Sequence, residues 1–456
     1  MRPKQQILWG TFILTAAGFL SRLMGFFYKI FLSHAIGAQE LGIYQLVFPI
    51  QALSLSLTVS GMSTAISRFA AGKSAIHDQK GAHDLFLAGT GFSFLFTSLI
   101  AWFIHQNADM IASLFLQDPR TASLLRIVTW ALPLAALHAC VNAYFYSQKR
   151  TSLPALGQLL EQVVRISTAC LAYLYLLSLG VTPSAWIAVI GIFTGELFSV
   201  IFALFIFMLH HRKEQISLFP VRTPLTHLGN LFTMYLPLTA NRLITTFLTS
   251  IESILIPSRL ILHGYSRTES LSIYGTLTGM ALPLILFPNA ITNSVCVMLL
   301  PSIAQLQALE QNKKIRQAVE ITIQCCLLLG FSCTGFFAVF GGFLGRFLFH
   351  SSNAGLFIRT LAFVCPFLYL NAALNTILNG LGKTGICLFH SILGISLRLF
   401  CVIWVIPHQG IHGYLWGVLA GEVLITLLHL TALNRLITFD IHLFSPRTLY
   451  HYLRSR

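Results

Sequence analysis

The stretch GFLSRLMGFFYKIFLSHAIG, residues 18–37, has the apolar length of a membrane helix, yet Arg22 and Lys29 sit inside it. A run of about 20 apolar residues crosses the roughly 30 Å hydrocarbon core of a bilayer. Across the whole chain of 456 residues, 55% are hydrophobic, only 9% are charged, and the mean hydropathy is +0.75. A soluble domain carries about a quarter charged residues, so this composition describes a polytopic membrane protein. Long continuous apolar runs, without the alternation of a membrane barrel strand, point to helices.

Twelve spans are expected, near 7–33, 41–67, 84–104, 122–146, 154–178, 185–209, 228–257, 275–300, 318–340, 356–379, 386–406 and 412–433. Basic loops stay on the cytoplasmic side of a membrane. Nearly all loop lysines and arginines fall on the side of the two termini, against Arg120, Arg259, Arg267 and Arg346 on the other. Both termini are therefore expected in the cytoplasm, and the +15 net charge is a mark of topology, not of nucleic-acid binding. Arg2 and Lys4 before an apolar run also fit a signal peptide, but the run is too long and holds an arginine. The nine cysteines all fall in expected spans without paired spacing, which gives neither a disulfide nor a zinc site.

The second half restates the first. SRL at 21–23 recurs as NRL at 241–243, and IYQLVFPIQALSL from Ile43 has its counterpart in IYGTLTGMALPLI from Ile273. Asn142, Arg150, Thr151 and Arg165 map at one offset onto Asn375, Lys383, Thr384 and Arg398, and GIFTGE at 191–196 reappears as GVLAGE at 417–422. The reading is an all-α protein of two pseudo-symmetric six-helix lobes, residues 1–227 and 228–456, the latter ending in a short basic tail. An even helix number makes the repeats parallel, an arrangement in which transporters bind substrate between the lobes near midplane.

Polar and small residues recur at helical spacing along four helices: Gly18, Arg22, Gly25 and Lys29; Gln51, Ser54, Thr58 and Gly61; Arg242, Thr245, Thr249 and Glu252; and, around an expected break, Pro288, Asn289, Thr292 and Asn293. Small and hydroxylated residues also serve plain helix packing. Arginine is different: at midplane it costs at least about 2.5–3.5 kcal/mol and cannot escape by deprotonating. Arg22 and Arg242, one per repeat, are read as a cationic clamp for an anion of several oxygens such as a pyrophosphate. Lys29, Gln51, Glu252 and Asn289 complete the candidate substrate-binding set, with snorkelling to the interface as the plain alternative for Lys29. Arg165 with Glu196 and Arg398 with Glu422 are expected as structural ion pairs, one per lobe, with Glu161 as a competing partner of Arg165.

GLGKT at 380–384 lacks the first glycine of a phosphate-binding loop, since Ile377 stands there. His408 with His412 and His210 with His211 read as surface pairs rather than metal ligands. The tail SPRTLYHYLRSR suits an interfacial segment on anionic lipid.

The opening KQQILWGTFILTAAGFLSRLMGFFYKIFLSHAIGAQELGIYQL, GMSTAISRFAAGK at 61–73 and TGMALPLILFPNAITNSVCVMLLPSIA at 278–304 resemble the stage V sporulation protein B family. That family belongs with MurJ-type lipid II flippases and polysaccharide exporters in the MOP superfamily. The resemblance spans nearly the whole chain and implies a MATE-like fold. It also implies flipping of an undecaprenyl-pyrophosphate-linked saccharide across a bacterial plasma membrane, serving cell-wall, polysaccharide or sporulation synthesis. Arg22 falls on the first-helix arginine of the family's SR..GF pattern. Tyr28 stands where relatives place another arginine, and no cation lies near Ser54. Many relatives have fourteen helices, the last two helping to form a groove for the lipid tail, whereas twelve spans are expected here. Expected partners are the lipid-linked substrate and membrane lipids, with cell-wall synthesis enzymes as candidates; a monomer without a cofactor or catalytic residue is expected. The rivals are a cation-coupled multidrug exporter, for which Glu252 is the one carboxylate on a wet stripe, a membrane glycosyltransferase, which would need a larger acidic loop, and a non-transporting scaffold for wall assembly.

Overall fold

A bilayer offers no water to backbone amides, so every N–H and C=O must be paired inside its own segment. The computed structural model describes residues 3–214 and 224–437, and all regular structure there is helical. Among the described residues, eleven helices are long and apolar enough to cross a membrane. The first of these candidate spans, Phe12–Ala75, has 64 residues, about 96 Å as one rod, and so accounts for two crossings. Its turn is at Gly37, whose φ of 76° and ψ of 175° interrupt α1 (Pro3–Leu55). Glycine alone adopts that conformation without strain. A π-helical turn, Ser56–Ser60, leads into α2 (Gly61–Ala75).

The chain continues through α3 (Gln79–Gln106), α4 (Thr121–Ser147), α5 (Ser152–Ser178), α6 (Trp186–Glu214) and α7 (Pro224–Leu262). Next come α8 (Arg267–Gly275), α9 (Asn289–Ala308), α10 (Asn312–Phe349), α11 (Ser352–Leu361), α12 (Cys365–Gly380), α13 (Thr384–Phe400) and α14 (Ile411–Leu436). The expected span 275–300 is broken. A π-helical turn, Thr276–Ala281, and the short helix Leu282–Leu286 precede a gap at Phe287 and Pro288 before α9 begins. Pro288 has no N–H for the carbonyl of Leu284, which accepts from Phe287 N at 3.3 Å instead. The tail 445–456 lies outside the described residues.

Packing divides the chain into two compact units, Met1–Ile254 and Leu255–Arg456. The division falls inside α7, whereas the sequence repeat places its boundary at 227/228. The reason is that α7 adheres to the first unit along most of its length. Leu231 and Tyr235 join a core with Met62, Ile66, Phe86, Tyr144 and Phe207. The Tyr235 hydroxyl donates to Leu57 O at 2.6 Å, Ser56 Oγ and Thr246 Oγ1 are 2.9 Å apart, and Ser250 Oγ donates to Pro49 O at 3.3 Å. Aromatic rings fill this core, with Phe86 centred 4.7 Å from Tyr144 and 5.1 Å from Phe207. Loops are tied down by local chemistry. Asp78 caps α3 by accepting from Gly81 N at 2.9 Å, and that bond with Lys73 alongside holds its carboxyl below the usual range.

The second unit has its own core of Ile303, Ile315, Val319, Leu374, Ile377 and Leu433, from α9, α10, α12 and α14. Small residues bring α10 and α11 into backbone contact: a Cβ on Gly345 would collide with N and Cα of Gly355. Gly345→Val should therefore lower the thermal unfolding midpoint of the purified protein, at an overpacking cost of about 1–3 kcal/mol or more. An unchanged midpoint would mean that the close approach is not needed. Large apolar side chains such as Trp102, Leu328, Phe343, Trp404 and Trp416 are left exposed, as lipid-facing surface requires.

Candidate functional site

The charges inside the spans sort into two groups by what surrounds them. Arg22 on α1 and Arg242 on α7 are exposed, and Lys29, two turns along from Arg22, is half-buried. None of the three is paired with a carboxylate among the described residues. Their neighbours on α7 hold the helix together: Thr245 Oγ1 donates to Arg242 O at 2.9 Å and Thr249 Oγ1 to Thr245 O at 3.0 Å. Glu252, on the same stripe, is 3% exposed and engaged. Gln51 is half-buried beside Tyr44, Phe48, Val128, Val189 and Ile192, at a narrow gap among α1, α4 and α6. Asn289 is half-buried, and its side-chain oxygen accepts from the Thr292 hydroxyl at the start of α9.

The small and hydroxylated stripe of the second span is spent on packing. Ser54 and Thr58 are buried and donate back to Ile50 O and Ser54 O at 2.8 Å each. Thr58 O accepts from Ser93 Oγ of α3 at 2.9 Å. Gly61 faces Tyr235 and Thr239 so closely that a side chain would clash. The exposed cations, not this stripe, are the groups left available to a ligand.

The second group is half-buried to buried, and paired. Arg165 on α5 reaches Glu161 one turn earlier, and no ion pair with Glu196 is found. Glu196 on α6 faces His138 of α4 instead: Glu196 Oε2 is 3.4 Å from His138 Nδ1, and Glu161 Oε2 is 4.0 Å from the same nitrogen. Helix geometry explains the exchange, because residues four apart on one helix are neighbours without help from tertiary packing. In the second unit Arg398 Nη1 stands 3.5 Å from Glu422 Oε1. Glu422 also accepts from Asn371 Nδ2 at 2.7 Å, and the Thr426 hydroxyl donates to Asn371 Oδ1 at 2.8 Å.

His138 and Asn371 were not singled out from the sequence. A lone polar residue on an apolar helix carries no signal by itself. The signal was in the repeat, since His138 and Asn371 stand at the same offset as Arg165 and Arg398.

Comparison with known proteins agrees with this architecture. The model of the family described as "Polysaccharide biosynthesis protein" matches residues 7–307. Stage V sporulation protein B of Bacillus subtilis (strain 168) is 29% identical over 449 residues, covering 96% of this chain and 85% of the relative. Lipid II flippase MurJ of the same organism is 23% identical over 424 residues, covering 86% of this chain and 76% of the relative. Among solved structures, lipid II flippase MurJ in an inward closed conformation superposes with a TM-score of 0.71 at 15% identity, over 94% of this chain and 88% of that one. With its multi-pass helical fold and a family model matching well over half its length, the chain belongs to the polysaccharide biosynthesis protein family.

Proposed function

We propose that this protein is a flippase that moves a lipid-linked saccharide pyrophosphate from the inner to the outer leaflet of the bacterial plasma membrane. The observation that carries the reading is the pair of exposed, carboxylate-free arginines, Arg22 and Arg242, on apolar spans. Lasting exposure of a guanidinium at such depth needs water or an anion. A pyrophosphate offers planar forks several oxygens at once. The likeness to lipid II flippase MurJ supports a substrate of the same class, with the polyprenyl tail left in the bilayer.

Movement of the head group then follows alternating access of the two six-helix repeats, with both termini in the cytoplasm. An inside-negative potential assists outward passage of an anion by about 2.3 kcal/mol per charge per 100 mV. The chemistry asks for no covalent step, so the protein acts as a transporter and no side chain is assigned a catalytic role.

The test is reconstitution in vesicles holding fluorescently labelled lipid II, with a membrane-impermeant quencher added outside. Vesicles with protein should expose label from the inner leaflet to quenching far faster than protein-free vesicles. Equal rates would overturn the proposal.

A further inference from the structure

The two repeats differ in charge at equivalent positions deep in their helices. In the second unit the buried cluster is Arg398, Glu422, Asn371 and Thr426. The one guanidinium and one carboxylate among these sum to zero. At the matching positions of the first unit stand Arg165, Glu196 and His138, but Glu161 takes the place of Gly394. Close contacts confirm the correspondence. A Cβ on Gly195 would press on Glu161 O and Arg165 Cβ, and a Cβ on Gly421 would press on Gly394 O and Arg398 Cγ. The first unit therefore holds two carboxylates against one guanidinium, a net charge of −1 when His138 is neutral.

A net charge cannot be left uncompensated at low dielectric without a cost of several kcal/mol. The side chains are 13–22% exposed, and Glu196 Oε2 and Arg165 Nε are shut off from water with no hydrogen bond of good geometry. The remaining titratable groups acting on the cluster are Tyr28 and Tyr44 of α1, neutral phenols in ordinary conditions. Ser199 of α6 bonds the far ring nitrogen, with Oγ 2.9 Å from His138 Nε2. That leaves Nδ1 facing both carboxylates.

We propose that His138, Glu161 and Glu196 form a single-proton binding site, the proton residing between His138 Nδ1 and the two carboxylates. One proton brings the cluster to the zero charge of its counterpart. The three ligand atoms lie within 4.8 Å of one another, a spacing a metal ion could also bridge. A divalent ion beside Arg165 would leave a net charge of +1, and sodium prefers an all-oxygen shell to an imidazole. A cavity of about 10 Å³ is lined by His138, Asn142, Ser199, Leu153 and Ile206, about the room one water needs. The site is built from residues of the first unit alone. Its use as a coupling site for translocation rests on the flippase reading.

The test is infrared titration of the purified full chain in lipid nanodiscs. The wild type should show one proton bound per chain at a histidine or carboxyl, removable as pH rises. Glu161→Gln, which recreates the charge of the second unit, should abolish that signal while costing less stability than Arg165→Ala, because the amide oxygen can still accept from Arg165. His138→Asn should move the proton onto a carboxyl. Wild-type and Glu161→Gln spectra that superpose at every pH would overturn the proposal. So would a signal in both that sodium removes at fixed pH. In vesicles, a pH gradient should alter the flipping rate of wild type and not of Glu161→Gln. Flipping without the titrating group sinks the proton site alone, and the group without flipping sinks the transport reading alone.

Discussion

A protein carrying both Arg22→Ala and Arg242→Ala should flip labelled lipid II at least about 100-fold more slowly than wild type at equal abundance. Hydrogen bonds to charged groups contribute about 1.5–3 kcal/mol each, and about 1.4 kcal/mol is a factor of ten in rate. Two lost contacts therefore suffice, provided that both act on the phosphate during passage rather than only on entry. The same substitutions should leave the unfolding midpoint nearly unchanged, because neither side chain is buried or paired with a carboxylate among the described residues. Arg22→Lys should fall between, since an ammonium keeps the charge but loses the planar fork. A double variant that transports at the wild-type rate would remove the arginines from the mechanism.

The fold was readable because its two strongest determinants are compositional: run length sets the spans and recurring polar positions set the repeat. What could not be read was how helices share partners. The helix α7 opens the second repeat, but Leu231, Tyr235, Thr246 and Ser250 commit most of it to the first packing unit. No local propensity encodes such a choice. The break before α9 was legible, since proline acts locally. Among candidate site residues, Arg22 and Arg242 were legible because a charge in an apolar run is rare. The partner of Arg165 was less so: two carboxylates competed, and the turn-spaced Glu161 took the guanidinium while Glu196 turned to a histidine two helices away in sequence.

That rearrangement makes the second large effect a matter of folding. Arg165→Ala removes the one guanidinium from a cluster that then holds two carboxylates and a histidine. A buried charge left without its partner costs about 3–5 kcal/mol, a large share of the 5–15 kcal/mol that typically separates native from unfolded protein. The yield of folded protein and its unfolding midpoint should both drop sharply. Restoring the balance should restore the fold, so Arg165→Ala combined with Glu161→Ala should recover much of the loss, and the non-additivity of the pair measures their coupling. In the second unit Arg398→Ala strands Glu422, which keeps its bond from Asn371, so its cost should be smaller than that of Arg165→Ala. An Arg165→Ala protein as stable as wild type would mean that water reaches the cluster freely. Equal costs for Arg165→Ala and Arg398→Ala would mean that the bond from Asn371 does not ease the loss at Glu422.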